Sequence, residues 1–209
     1  MEKLIRIPEG EIALEGMLKI PDGSQGLVLF AHGSGSSRFS PRNNFVANVL
    51  NESHLGTLLI DLLSPEEDSI YQTRFNINLL TQRLISVVQW LKNQQETQDL
   101  SIGLFGSSTG AAAALETAAA RQKEIKSVVS RGGRPDLAMD ALDRVKAPTL
   151  FIVGGNDFGV IELNQEAYEQ LNCVKKFEVV PNATHLFEEP GCLDEVAKLA
   201  TEWFVCYKD

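Results

Sequence analysis

The chain has 209 residues, enough to bury a full core without disulfides or metals, and it reads as one domain over residues 1–209. Hydrophobic residues at 44% and charged residues at 22% are ordinary for a globular protein, and no apolar run approaches the ~20 residues that span a bilayer. A net charge of −9 argues against a nucleic-acid partner, which demands a basic surface to displace counterions.

The first residues, Met1-Glu2-Lys3-Leu4-Ile5-Arg6, carry charges where a signal peptide needs an apolar stretch, so the expected location is cytoplasmic. Cys173, Cys192 and Cys206 have no metal-like spacing and read as reduced packing residues. No cofactor or metal is called for, and the oligomeric state is not legible.

Alternating segments Lys3–Pro8 and Glu11–Ile20, separated by Glu9-Gly10, predict an antiparallel hairpin closed by Pro21-Asp22-Gly23. Short apolar runs follow: Gly26–Ala31, Thr57–Leu63, Leu100–Phe105, Ile125–Ser130, Thr149–Val153 and Lys176–Val180. Such runs suit parallel strands covered on both faces. Helical stretches lie between them, chiefly Pro41–Ser53, Tyr71–Gln94, Thr109–Gln122, Glu162–Leu171 and Leu193–Val205. The expected fold is α/β, a mostly parallel sheet with helices on both sides. Ser64–Gln94 reads mostly as one helix, which leaves little room for a cap domain.

Ligands of open α/β sheets bind at the carboxyl ends of the strands, so the residues after each strand are the candidates. After Leu100–Phe105 comes Gly106-Ser107-Ser108-Thr109-Gly110, then an alanine-rich helix. This is the Gly-x-Ser-x-Gly pattern of a nucleophile elbow, in which a sharp strand-to-helix turn admits only small residues two places either side of the serine. Ser107 fails that phasing, because Phe105 and Thr109 occupy those places, so Ser108 is the candidate nucleophile. The helix N-terminus supplies free N–H groups to a developing oxyanion, that of Thr109 first.

A serine hydroxyl needs a base, and the base needs an orienting acid. Of three histidines, His54 lies in the polar stretch Asn51–His54 and reads as a surface residue. His32 reads as a structural residue bonded to loop backbone. His185 lies in a loop after the last strand and is the candidate base. Asp157 is the single carboxylate in the turn after Thr149–Val153, and its bland alternative is a turn aspartate bonding its own backbone. The second oxyanion N–H is expected from Ser34, with Gly35 as the alternative, in His32-Gly33-Ser34-Gly35.

Arg131 and Arg134, on the glycine-rich turn after Ile125–Ser130, could fork onto a substrate carboxylate or phosphate, or pair with loop carboxylates and carbonyls. Arg38 and Arg42 are weaker candidates. A dinucleotide-binding reading of Gly33-x-Gly35 followed by Asp61 lacks its third glycine, since Arg38 stands in that place. A non-catalytic ligand-binding protein is a further alternative.

With Ser108, Asp157 and His185 in this order, the chain resembles the α/β-hydrolase superfamily and, within it, small bacterial dienelactone-hydrolase-like serine hydrolases. The resemblance runs from the leading hairpin to the last helix. It implies the α/β-hydrolase fold, an eight-stranded sheet with its first pair antiparallel. It implies Ser108, Asp157 and His185 as triad, Ser34 and Thr109 as oxyanion donors, and a small-molecule acyl substrate. That substrate is an ester, thioester or lactone, cleaved through an acyl-enzyme, and it is anionic if the arginines bind it. The dienelactone hydrolases themselves carry a cysteine nucleophile where this elbow has Ser108. The segment His32–Asn43 looks like that of small bacterial hydrolases, some of whose relatives are fused to phosphoribosyltransferase-like domains.

Overall fold

A computed structural model, which describes residues 2–208, forms one sheet of eight strands in the order β1-β2-β4-β3-β5-β6-β7-β8. β1 (Glu2–Glu9) and β2 (Ile12–Lys19) make the antiparallel hairpin. One face of β1 is wet, so Ile5 and Ile7 are buried while Leu4 before them and Arg6 between them point outward. β2 pairs antiparallel with β4 (Leu55–Ile60). From β4 onward the pairing is parallel, through β3 (Gly26–Ala31), β5 (Ser101–Ser107), β6 (Ile125–Arg131), β7 (Thr149–Gly154) and β8 (Lys175–Val180).

β3 and β4 are buried at every residue because helices cover both faces of the sheet. Leu27, Leu29 and Ala31 pack with Leu84, Val88 and Leu91 of α3 (Ile77–Lys92) and with Ala112–Ala114 of α4 (Thr109–Ala120). Val28 and Phe30 point the other way, to Val46 and Leu50 of α1 (Pro41–Glu52) and Val196 and Phe204 of α7 (Cys192–Cys206). The alanine run lets α4 settle close to the sheet, with Ala111–Ala114 fully buried.

The strands appear within a few residues of where their patterns put them, but the segment after β4 differs. Instead of one helix beginning at Tyr71, there is a short helix α2 (Pro65–Asp68), a 3₁₀ turn Tyr71–Phe75, and then α3. Both helices start at side-chain caps. Ser64 and Glu67 form a reciprocal capping box, and Asn76 accepts the Leu79 N–H at 3.1 Å. The apolar period runs across Asn76, which conceals the break. A second 3₁₀ turn (Pro135–Ala138) and a short helix α5 (Met139–Leu142) follow β6. α6 (Phe158–Gln170) begins directly after Asp157. Among the described residues no helix is long and apolar enough to cross a membrane.

Candidate active site

Ser108 sits at the apex between β5 and α4 with φ 50° and ψ −123°. This mirrors the first corner of a type II turn, a conformation that glycine adopts readily and a serine only under strain. Neighbouring backbone enforces it. The Ser108 carbonyl accepts N–H groups from Ala111 (3.1 Å) and Arg134 (3.0 Å), and its own N–H points to the Arg131 carbonyl at 3.4 Å. The flanking glycines are needed for space. A Cβ on Gly106 would lie 2.4 Å from Ala111 Cα, and one on Gly110 would lie 2.1 Å from the Ala31 carbonyl oxygen. Ser108 is half-buried, and its hydroxyl carries no protein hydrogen bond among the described residues. Catalytic contacts of this kind often tighten only when substrate binds.

His185 and Asp157 meet at the ends of β8 and β7. His185 Nδ1 lies 2.7 Å from Asp157 Oδ2, with the aspartate side chain 17% exposed and the histidine 38%, so the ring is reachable while its partner is screened. Asp157 stands at the N-cap position of α6 yet makes no side-chain cap bond. Its carboxylate serves the histidine instead, which sets aside the bland reading. The His185 loop is held firmly. Asn182 and Phe187 have φ of 64° and 58°, and Thr184 donates its N–H and hydroxyl to Glu189 at 3.1 and 2.6 Å. Phe187 is fully buried. The turn after β6 links this loop to the elbow. Arg131 accepts from Ser108, and a Cβ on Gly132 would lie 3.5 Å from His185 Cε1.

The first oxyanion donor is open, since the Thr109 N–H at the start of α4 has no partner in its helix. The second is not. The Ser34 N–H donates to Thr109 Oγ1 at 3.0 Å. Gly35 has φ 69° and occupies a turn closed by the Ser36 N–H on the Gly33 carbonyl at 3.1 Å. Gly33 lies against Ser108, where a Cβ would come within 2.9 Å of Ser108 Cβ.

Of the two readings of the loop arginines, Arg134 follows the pairing with a loop carboxylate, and Arg131 follows neither. Arg131 is buried, 5% exposed, and its Nη2 donates to Asn43 Oδ1 and Ser107 Oγ at 3.2 Å each. Burial, and then the neighbouring Arg42, push its pKa down to about 10. It therefore does not fork onto a ligand from the loop surface. Strand alternation is the reason. Ser130 faces α4, so Arg131 turns to the opposite side of the sheet, toward Phe187 and α1. Arg134 is already held at two points by Asp136, both at 2.8 Å, which raises its pKa. Arg38 bridges Asp61 and Glu15, and Arg42 pairs with Glu188 at 2.6 Å.

Arg74, which sequence reasoning missed, lies beside the Gly33–Gly35 loop and lines a cleft with Thr109. Its Nε and Nη2 are tied to Asp68, and Nη1 lies 3.3 Å from where a Gly35 Cβ would be. Its position depends on the break before α3, whose signals in the sequence are the capping-box pattern Ser64-Pro65-Glu66-Glu67 and the helix cap at Asn76.

His54 is exposed, as expected. His32 is a structural residue, with Nδ1 3.0 Å from the Gly33 carbonyl and Nε2 3.7 Å from Asp61. Asp61 is occupied with Arg38, and α1 begins only at Pro41 rather than at the Gly33-x-Gly35 turn. A dinucleotide site of the Rossmann kind does not form there.

Residues 64–204 match the model of the dienelactone hydrolase family. A dienelactone hydrolase of known crystal structure from Anabaena variabilis is 54% identical, with a TM-score of 0.97 over 100% of this chain and 99% of its own. Est1E from Butyrivibrio proteoclasticus shares the fold at 17% identity, with a TM-score of 0.84 over 98% of each chain. A Mycobacterium tuberculosis protein that carries the provisional name phosphoribosyl transferase is 52% identical over 201 residues. These are 96% of this chain but 45% of that protein, so the chain spans about half the length of the curated relatives it matches. The eight-stranded sheet, the elbow and these likenesses agree: the chain belongs to the dienelactone hydrolase family, hydrolases of the α/β-hydrolase fold.

Proposed function

We propose that the chain is a serine hydrolase that cleaves small esters, thioesters or lactones through an acyl-enzyme on Ser108. The observations that carry this reading are a strained serine at a strand–helix apex and, at the ends of the neighbouring strands β7 and β8, a histidine whose Nδ1 lies 2.7 Å from a half-buried carboxylate. His185 takes the Ser108 proton on Nε2 as the hydroxyl attacks the acyl carbon, and Asp157 orients the ring and stabilises its cation. The Thr109 N–H meets the charge that develops on the carbonyl oxygen. The leaving group departs with the proton from His185, and water repeats the sequence to free the acid. Arg74 gives Nε and Nη2 to Asp68, and its remaining Nη1, beside Gly35, is the group that would meet an anionic substituent on the substrate.

A fluorophosphonate probe tests the nucleophile. Labelling of Ser108 that disappears in Ser108→Ala is the expected result. Failure of the folded wild type to label would sink the proposal and leave a ligand-binding protein. A panel of esters, thioesters and lactones then defines the acyl class.

A further inference from the structure

The donor expected to complete the oxyanion hole, the Ser34 N–H, is engaged by Thr109 Oγ1 at 3.0 Å. A threonine hydroxyl that accepts one hydrogen bond still has a proton to give. Thr109 is 2% exposed, and among the described residues that proton finds no acceptor. Buried hydroxyls seldom leave a donor unused. This one belongs to the residue next to the nucleophile, the same residue whose backbone N–H is also free.

We infer that the Thr109 hydroxyl is the second oxyanion donor, and that Ser34 acts through it. This rests on the hydrolase reading above. The Ser34 N–H, by donating to Oγ1, polarises the hydroxyl and strengthens the bond it gives onward, as in any hydrogen-bond chain in a dry site. The oxyanion then receives the N–H and the O–H of Thr109, while the proton stays on Oγ1 throughout. A neutral ester carbonyl is a weaker acceptor than the tetrahedral oxyanion, so the contact belongs mainly to the transition state. Ser34 becomes a positioning residue that sets the Oγ1 rotamer.

The test compares Thr109→Val, which keeps the shape and the backbone N–H but removes the hydroxyl, with Thr109→Ser, which keeps the hydroxyl. The substrate is an ester that wild type cleaves, and a boronic acid carrying the same acyl group reports the tetrahedral state. Removing one oxyanion donor should lower kcat about 100- to 1,000-fold in the valine variant, with KM little changed. Boronate affinity should weaken in parallel, and the serine variant should recover most of both. Unchanged or faster turnover in Thr109→Val would show that the Ser34 N–H reaches the oxyanion unaided, which overturns the inference. Equal loss of substrate and boronate affinity would reduce Thr109 to a loop anchor, which also overturns it. Fluorophosphonate labelling of wild type separates the two levels. An unlabelled Ser108 sinks the hydrolase reading, whereas a labelled Ser108 with an indifferent Thr109→Val sinks this inference alone.

Discussion

Replacing Ser108 by glycine should yield a more stable protein than replacing it by alanine, the reverse of the usual order. In ordinary helical or extended backbone, alanine is favoured over glycine by about 0.4–1 kcal/mol, because glycine gives the unfolded chain more freedom to lose. At φ 50° and ψ −123°, however, a Cβ meets its own backbone, and such conformations cost on the order of 1–3 kcal/mol. Alanine retains that strain and glycine releases it, so glycine should lead by roughly 0.5–2 kcal/mol once its unfolded-state entropy is subtracted. The elbow cannot relax in the alanine variant. The Ser108 carbonyl is fixed by Ala111 and Arg134, and α4 is pressed onto Ala31 at Gly110. For a chain of this size the difference amounts to about 1–8 °C in Tm, measurable by thermal melts or urea titration of both variants. Neither variant should hydrolyse esters, so function cannot confound the comparison. A melt in which the alanine variant matches or exceeds the glycine variant would refute the claim that strain is stored at Ser108.

Two further outcomes concern the arginines. Arg131 is a buried cation with no carboxylate within ion-pair distance among the described residues, and burial, with the neighbouring Arg42, lowers its pKa to about 10, an unfavourable cost of about 3 kcal/mol. Its long bonds to Asn43 and Ser107 offset part of this, and Ser107 Oγ still donates to Asn43 Oδ1 without it. Arg131→Met should therefore fold with stability equal to wild type or up to about 2 kcal/mol higher at pH 7. The unfolded chain binds more protons than the folded one between the two pKa values. The penalty is thus full below pH 10, and wild type should gain on the variant as pH rises above it. A variant clearly less stable at pH 7 in urea titrations would contradict this account. Arg74→Ala should lower the preference for esters bearing a carboxylate over matched neutral esters by about tenfold in kcat/KM, the lower end expected for a charge-assisted contact on a partly exposed side chain. An unchanged ratio would remove Arg74 from substrate recognition.

What the sequence revealed and what it concealed divide along the range of the interactions involved. The elbow is legible because its demand is local. A serine forced to positive φ needs glycine at Gly106 and Gly110, and those residues lie within two places of it. The strands are legible because burial on both faces leaves a composition that no exposed segment tolerates. Asp157 could be located by its place after β7, but only the coordinates show its carboxylate choosing His185 over the start of α6. The face that Arg131 takes was hidden, because strand alternation says that Ser130 and Arg131 diverge without saying which one goes to α4. The bond from Ser34 to Thr109 joins residues 75 positions apart and leaves no local trace at either. Arg74 is subtler still. Its reach to Gly35 depends on two caps, Ser64 and Asn76, that interrupt an apolar period which otherwise reads as helix throughout. The serine turn is thus written in consecutive residues, where strain and close approach restrict the choice of amino acid. The placement of Arg74 and of the Ser34–Thr109 bond is written in contacts between loops, where almost any residue is locally permitted. Variants at Thr109 and Arg74 test the part of the site that sequence patterns leave open, whereas variants at Ser108 test the part they specify.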